Sequence, residues 1–386
     1  MFTKKIIIFN LFKSFSIIFF LIITMTSCDI INHSPDINDK QQKFFDKMIV
    51  CQNAGNDFYI VDVNTYEIIN KMTISVPDSF QLWGKFLSAN SDYLICGGSD
   101  LVPHDWLPGY TKAESFYIIT YDIANDTIHS RFDTGLEGVG AIQMVPTFDS
   151  DNPGSFYLYS HLHGLFAIDF NKQTCHMISK EENRTPKKFH HSADNKWIVM
   201  KNYYKTGSYT ELEFYSSESG LKSLKFILNE NDRDSIDVSY MVFSEDNKYL
   251  FFSYLLSNRS AVYEAAFLGS YNLKTKKLTE HHIKLPWSNT PYAIAHSPNR
   301  RECYMTGQDD KFYIINTTSE NYEIKKIIEL KGKHQEESNI LINADENIAF
   351  VSAWYGNKIY VVDLENLTVI NTIDIEKPSL MLPYYD

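Results

Sequence analysis

The sequence GNDFYIVDVNTYEIINKM, Gly55–Met72, recurs without a gap near the other end of the chain as GNKIYVVDLENLTVINTI, Gly356–Ile373. In each copy an apolar run ends in an aspartate, which is followed by a polar turn and a second apolar run. The same pattern recurs at intervals of about 45 to 60 residues, a spacing typical of repeats of one supersecondary unit. The positions that end the first run are Asp62, Asp122, Asp169, Ser216, Asn272, Asn316 and Asp363.

The repeated unit predicts an all-β fold. Asp and Asn side chains accept backbone hydrogen bonds in tight turns, so each marked position predicts a hairpin. The flanking runs are rich in Tyr, Phe, Ile and Val, which favour strands. Upstream of most hairpins a polar turn precedes another short apolar strand, as in FSEDNKYLFFSY, residues 243–254. Each unit then contains four antiparallel strands, which is the plan of a β-propeller blade, and seven units predict seven blades.

The two ends of the chain complement each other in this scheme. Before Met48 there is no room for the inner strand of the first unit, whereas EKPSLMLPYYD, residues 376–386, is an apolar strand with no unit after it. We therefore predict that the C-terminal strand completes blade 1 and closes the ring, which leaves no long free edge. A six-bladed ring, in which the unit around Ser216 is degenerate, is the alternative.

The repeats resemble a known group of propellers. AFVSAWYGNKIYVVDLENLTVINTIDI, residues 349–375, resembles the YVTN-type repeat, and FSEDNKYLFFSY resembles the strand pair of WD40-like repeats. At the level of repeats the resemblance covers residues 46–386 and extends to the quinoprotein amine dehydrogenase β-chain-like superfamily. It implies the propeller fold but little about activity, because such propellers include lactonases, subunits of quinoprotein dehydrogenases and binding platforms.

Residues 1–27 resemble the signal peptide of a bacterial lipoprotein. Lys4 and Lys5 precede the apolar run SFSIIFFLIIT, residues 14–24, which is short for a membrane-spanning helix. MTSC, residues 25–28, resembles a lipobox, which implies that Cys28 carries acyl chains that anchor the protein to a membrane of the cell envelope, with the domain periplasmic or surface-exposed. An ordinary cleaved signal or an uncleaved anchor is the alternative. The polar residues 28–44 predict a flexible tether, and residues 45–386 a single propeller domain.

Composition excludes some partners and cofactors. Residues 1–27 hold three of the 36 basic residues and none of the 48 acidic ones, so the rest of the chain is strongly acidic. This argues against nucleic acid as a partner. The sequence lacks the common zinc, haem, P-loop and dinucleotide signatures, and no metal or cofactor is predicted. Cys51, Cys96 and Cys303 lie in apolar runs, where a buried thiol is expected.

The loops provide the candidate functional residues. In a four-stranded blade the loops between the second and third strands lie on the same face as the links between blades, which we call the loop face. Aromatic and arginine side chains in such loops are typical of recognition surfaces. The predicted loop-face residues are Trp106, Tyr110, His161, His163, Tyr203, Tyr204, Arg259, Trp287, Trp354 and Tyr355.

These residues favour a binding platform for a protein segment or a glycan, held at the membrane through Cys28. The main alternative is a lactonase-like hydrolytic enzyme with polar groups at the mouth of the central channel. A third interpretation is a propeller subunit that supports a redox partner. An enzyme requires convergent titratable groups in a pocket, whereas a platform requires exposed aromatic side chains.

Overall fold

The computed structural model describes residues 45–385, apart from several loop segments. The segments outside the description are 53–54, 78, 89–90, 104–110, 138–141, 147–154, 161–163, 180–183, 192–196, 205–209, 217–219, 225–234, 245–246, 258–262, 286–290, 298, 308, 319–321 and 332–338. The described residues contain only strands, turns and bends, and none of them forms a helix that is long and apolar enough to cross a membrane. The prediction of an all-β propeller is therefore confirmed.

Among the described residues, twenty-eight strands form seven antiparallel sheets of four strands, which we number in chain order. Sheet 1 contains β1 (Lys47–Gln52), β2 (Asp57–Asp62) and β3 (Ile68–Thr73) together with the last strand, β28 (Pro378–Tyr384). Sheet 2 contains β4 (Phe80–Leu87), β5 (Tyr93–Pro103), β6 (Thr111–Asp122) and β7 (Thr127–Glu137). Sheet 3 contains β8 (Ile142–Pro146), β9 (Ser155–Ser160), β10 (Gly164–Asp169) and β11 (Thr174–Ser179).

The remaining sheets repeat the same order. Sheet 4 contains β12 (Arg184–His191), β13 (Trp197–Tyr204), β14 (Thr210–Ser216) and β15 (Gly220–Leu224). Sheet 5 contains β16 (Ser235–Phe243), β17 (Tyr249–Ser257), β18 (Tyr263–Asn272) and β19 (Leu278–Leu285). Sheet 6 contains β20 (Pro291–Ser297), β21 (Glu302–Gly307), β22 (Lys311–Asn316) and β23 (Glu323–Glu329). Sheet 7 contains β24 (Ile340–Ile342), β25 (Ile348–Ala353), β26 (Lys358–Asp363) and β27 (Thr368–Asp374).

The last strand of the chain pairs with the first. β28 runs antiparallel to β1, with Lys47 opposite Tyr384 and Ile49 opposite Leu382. Sheet 1 is therefore assembled from both ends of the described chain, whereas the other six sheets each use four consecutive strands. The inner-edge strand of each sheet also contacts the inner-edge strand of the next sheet. β28 has this position in sheet 1, and it contacts β24 of sheet 7 and β4 of sheet 2.

The turns between the third and fourth strands have the predicted hydrogen bonding. Asp62 Oδ1 accepts from the backbone N–H of Asn64 and Thr65, each at 2.8 Å. Asp363 Oδ1 accepts from the residues two and three positions after it in the same way. These backbone donors hold the pKa of both carboxyls below the usual value. The other marked side chains that accept backbone hydrogen bonds are Asp122, Asp169, Asn272 and Asn316.

The turn residues four positions after Asp62 and Asp363 also contact neighbouring sheets. Tyr66 and Leu367 both have a left-handed backbone, with φ of 62° and 56°. Glycine is usual at such a position because a Cβ atom raises the energy of a left-handed backbone. Here the side chains pack sideways instead: Tyr66 lies edge-on to Phe350 of sheet 7, with ring centroids 6.2 Å apart, and Leu367 packs against the apolar cluster between sheets 6 and 7.

The core lies between the sheets. Among the described residues, apolar clusters of buried side chains fill the seam between each sheet and the next, and one of them joins sheets 7 and 1. In that cluster Met48 and Val50 of β1 meet Phe350 of β25 and Met381 of β28, all buried. Because burial of apolar area is the main stabilising term, each sheet depends on both neighbours.

Candidate functional site

Two of the predicted loop-face residues lie in the described part of the chain with their side chains. Trp354 and Tyr355 form the turn between β25 and β26, and their ring centroids are 4.8 Å apart. Tyr355 is 55% exposed, whereas Trp354 is half-buried. Asn357 fixes this turn against the link before β28, because its side-chain oxygen accepts from the N–H of Lys377 at 2.9 Å.

The other predicted site residues lie wholly or partly outside the described residues. Tyr203 and Tyr204 end β13, but their side chains are outside the description. The remaining predicted residues that lie outside the described residues are Cys28, Trp106, Tyr110, His161, His163, Arg259 and Trp287.

The structure places an unpredicted cation at the loop face. Lys85 lies on β4, the inner strand of sheet 2, and its ammonium reaches across the seam to sheet 1. Its Nζ donates to the carbonyl oxygens of Gln52 and Gly55, each at 2.7 Å. Both acceptors are neutral, and no carboxylate of the described residues lies within ion-pair distance of Lys85. An ammonium has three N–H donors, and the two contacts to described residues use two of them.

Neutral thiols surround the same lysine. Cys51 and Cys96 face each other across the seam between sheets 1 and 2 and belong to one buried cluster. Burial raises the pKa of Cys51 to about 11 and of Cys96 to about 12, although the positive charge of Lys85 acts in the opposite direction. Both groups are therefore uncharged thiols at neutral pH, and they do not balance the charge of Lys85.

The loop that accepts from Lys85 is shaped by a glycine. A Cβ atom on Gly55 would lie 2.5 Å from Gln52 Oε1, so the Gln52 side chain folds directly over this position. The amide of Gln52 in turn donates to the backbone oxygen of Glu376 at 3.0 Å, in the link that leads into β28. The Lys85 site therefore depends on the pairing of the two chain ends.

Asp57, at the start of β2, is a carboxylate whose pKa is affected by the charge of Lys85. Its oxygens accept from Lys71 Nζ at 2.7 Å and from the hydroxyl of Thr73 at 2.7 Å. Partial burial opposes ionisation, but these hydrogen bonds, assisted by the charges of Lys71 and Lys85, hold the pKa of Asp57 below its usual value. Asp57 is therefore a fixed negative charge at neutral pH and a weak proton acceptor.

Serine hydroxyls on sheets 5 and 7 bind backbone groups at the inner strands of sheets 5, 7 and 1. Ser253 and Ser352 occupy equivalent positions on the second strands of sheets 5 and 7, and each hydroxyl accepts from an inner-strand N–H, that of Tyr240 at 3.2 Å and that of Asn339 at 2.7 Å. Ser352 also donates to the carbonyl of Ser379 in β28 at 3.0 Å. These bonds fix the backbone of the inner strands, so the hydroxyls are structural.

No group of three or more His, Cys, Asp or Glu side chains among the described residues is arranged to hold a metal ion. Where sheets 1 and 2 meet at the described loop face, the ionisable side chains include Lys85, Asp57 and Lys71.

Comparison with known proteins identifies the fold. The chain is similar to hydrazine synthase of Kuenenia stuttgartiensis, with a TM-score of 0.59 and 12% identity over 86% of this chain and 98% of that one. It is similar to the periplasmic gluconolactonase of Pseudomonas aeruginosa, with a TM-score of 0.58 and 10% identity over 88% and 98% of the two chains. It is also similar to a putative 6-phosphogluconolactonase from Bacteroides fragilis, with a TM-score of 0.57 and 12% identity over 90% and 99%. No protein family model and no curated protein sequence matches the chain.

These comparisons correct the functional prediction. The similar propellers are described as enzymes, two of them as lactonases, so the interpretation as a binding platform for a protein segment or glycan is wrong. The physical reason for the error is that aromatic loop residues occur equally on enzymes that bind small substrates, so their number does not distinguish the two classes.

Sequence reasoning missed Lys85, although a signal was present. The segment FQLWGKFL, residues 80–87, contains one lysine in a mostly apolar inner strand. A lysine in such a strand must either reach solvent or find acceptors inside the protein. The acceptors are backbone carbonyls of a loop on another sheet, and the sequence pattern does not show that contact.

Proposed function

We propose that the protein is a lactonase-like hydrolytic enzyme whose site lies at the loop-face mouth of the channel, beside Lys85. The observation that carries this proposal is the half-buried ammonium whose acceptors among the described residues are two neutral carbonyl groups. A partly buried charge that makes no direct ion pair with a described carboxylate is stabilised further when a ligand completes its environment. An oxyanion that forms during the reaction is such a partner, and the similarity to two propellers described as lactonases supports this reaction class.

In the proposed reaction, water adds to the lactone carbonyl and the carbonyl oxygen becomes an oxyanion. The remaining N–H of Lys85 donates to that oxygen, which lowers the energy of the transition state in a site already organised by Gln52 and Gly55. The ring C–O bond then breaks, the ring oxygen takes up a proton, and the product is an open hydroxy acid. Imidazole is the ordinary proton acceptor at neutral pH. We assign that role to His161 and His163, which the sequence predicts on the loop face and which lie outside the described residues.

The first test is replacement of Lys85. Lys85→Met is expected to lower kcat/KM for hydrolysis of glucono-δ-lactone by at least about 100-fold, because removal of one oxyanion donor typically has this effect. Hydrolysis is followed in a pH-stat with the spontaneous rate subtracted. The matched control is Lys358→Met, which removes a half-exposed lysine from the loop-face end of sheet 7 and is expected to leave the rate unchanged.

Two results would contradict the proposal. One is a wild-type protein that hydrolyses neither glucono-δ-lactone nor δ-valerolactone faster than the spontaneous rate. The other is a Lys85→Met variant that melts like the wild type and retains its rate. In either case the cation has no role in lactone hydrolysis.

We infer further that the seven sheets are seven blades of one closed ring, with sheet 1 as the closing blade. The antiparallel pairing of β28 with β1, the apolar cluster between sheets 7 and 1, and the unbroken succession of inner-strand contacts support this arrangement. The residues shared with YVTN-type repeats support common ancestry with the quinoprotein amine dehydrogenase β-chain-like superfamily.

We also propose that Cys28 is lipidated and that residues 28–44 tether the domain to a membrane of the cell envelope. The short apolar run before MTSC supports this, and one similar propeller is described as periplasmic. Cys28→Ser is expected to move the protein from the membrane fraction to the soluble fraction and to abolish incorporation of labelled palmitate. An unchanged membrane fraction without palmitate would indicate an uncleaved anchor instead.

A further inference from the structure

The fourth strand of several sheets contains a β-bulge at an equivalent position, one or two residues after the hairpin turn. The bulged residue has no partner on the third strand and is turned away from the ladder. It is Ile69 in sheet 1, His129 in sheet 2, Lys325 in sheet 6 and Ile370 in sheet 7.

Polar bulge residues bind to their own sheet. The ring of His129 packs on Tyr93 with centroids 4.9 Å apart, and Lys325 donates to Glu302 at 2.5 Å. The two isoleucines instead face outward: Ile69 is 51% exposed and Ile370 is 46% exposed. Scattered exposed apolar residues are ordinary. Here two occupy the same position on the two adjacent sheets that meet where the chain ends join.

The same region receives the N-terminal part of the chain. The described chain begins at Phe45, whose ring packs edge-on to Tyr385 at 6.2 Å. Phe45 and the turns after Asp62 and Asp363 lie at one end of the sheets, opposite the loop face, which we call the hairpin face. A flexible chain of the length of residues 28–44 has a root-mean-square span of about 20–25 Å. An anchor at Cys28 therefore keeps this part of the rim close to the membrane.

We propose that the hairpin-face rim of sheets 1 and 7 docks on the lipid bilayer through Ile69 and Ile370, with Ile68 beside them. This proposal rests on the proposed anchor. The partner is a zwitterionic lipid interface, because the whole chain carries a net charge of −12 and isoleucines gain by entering the boundary between headgroups and acyl chains. Each contact is weak, but the tether makes it intramolecular and raises the local concentration.

Docking in this way orients the candidate site. The hairpin face and the loop face are opposite ends of the same strands, so a membrane at the hairpin face leaves the loop face directed away from the lipid. Lys85 is then accessible to soluble substrates. Docking through the loop face would cover the channel mouth instead.

The test is residue-resolved hydroxyl-radical footprinting of the full lipidated protein on phosphatidylcholine vesicles, compared with the Cys28→Ser protein in solution. Oxidation of Ile69 and Ile370 is expected to fall at least about threefold on vesicles, because lipid excludes radicals from a docked side chain. Tyr355 is the internal control, since it is equally exposed but lies on the loop face, and its oxidation is expected to stay unchanged.

Three outcomes would overturn the proposal: unchanged oxidation of the isoleucines, protection of Tyr355 instead, or protection of the isoleucines in solution that increases with protein concentration. The last would assign the rim to a second copy of the chain. Coupling Cys28 chemically to a maleimide lipid, in a Cys175→Ser background, separates failure of the natural anchor from failure of docking. Failure of docking leaves lactone hydrolysis in solution unaffected.

Discussion

Deletion of residues 376–386 is expected to abolish cooperative unfolding, so that the protein no longer shows a thermal transition and is digested within minutes by a low concentration of protease. The deletion removes β28, which covers the edge of β1 and buries Met381 between sheets 7 and 1. It also removes the acceptor for Ser352 and exposes Ile49 and Val50, which are fully buried. We expect the free energy lost with these contacts to exceed the usual net stability of a domain, about 5–15 kcal/mol.

Addition of the missing strand tests the cause. A synthetic peptide of residues 376–386 is expected to restore the transition in a concentration-dependent way, because it can pair with β1 from outside the chain. Removal of residues 385–386 alone is the control and is expected to shift the midpoint by only a few degrees. A deletion variant that melts at the wild-type temperature would show that sheet 1 does not need its fourth strand.

The second large effect concerns Glu302, which is 5% exposed at the start of β21. Its carboxylate accepts from Arg300 Nε at 3.1 Å, from the hydroxyl of Tyr304 at 2.7 Å and from Lys325 Nζ at 2.5 Å. Glu302→Ala leaves these donors without their acceptor, and Arg300 also holds the carbonyl of Leu364 in sheet 7. Breaking a buried ion network in this way typically costs about 3–5 kcal/mol, measurable by urea denaturation.

The same carboxylate makes stability depend on pH. Burial opposes ionisation, but the hydrogen bonds from Lys325, Tyr304 and Arg300 outweigh it and hold the pKa of Glu302 below the usual value. Because the pKa is lower in the folded state, the stabilisation is present above the unfolded-state pKa of about 4.3 and is lost as the pH falls through the folded-state pKa. The difference in unfolding free energy between wild type and Glu302→Ala is therefore expected to shrink between pH 7 and pH 3.

An exposed glutamate provides the control for both measurements. Glu323 begins β23 in the same sheet and is exposed. Glu323→Ala is expected to change stability by less than about 0.5 kcal/mol at any pH in this range, as surface substitutions usually do. Equal losses for the two variants would mean that the network around Glu302 has no special importance.

The sequence was sufficient for features that depend on local chemistry. Asp62 and Asp363 mark hairpins because their oxygens reach backbone donors two and three residues away, and such contacts follow from order along the chain. The all-β class and the four-stranded unit follow from the same repetition. The apolar segment 376–386 was also recognisable as a strand without a unit, and it pairs with β1.

The sequence pattern did not predict side-chain contacts between neighbouring sheets. Lys85 binds carbonyls of Gln52 and Gly55 on another sheet, and Glu346 reaches from sheet 7 to Ser297 and Asn299 of sheet 6. Each depends on which residues of separate units lie at the same height, and small register differences between units decide this. The loop-face prediction had the opposite weakness, because it counted residue types without knowing what they contact.

The left-handed turn residues have a consequence for engineering by repeat consensus. A consensus of such hairpins would place glycine at Tyr66 and Leu367, since glycine removes the backbone cost. In this protein the replaced side chains are the ones that pack on the preceding sheet. A consensus repeat would therefore lower the backbone energy of the turns but would remove side-chain packing between neighbouring sheets. For this architecture the useful template is a pair of adjacent repeats, because a single repeat does not contain the contact that its own turn residue makes.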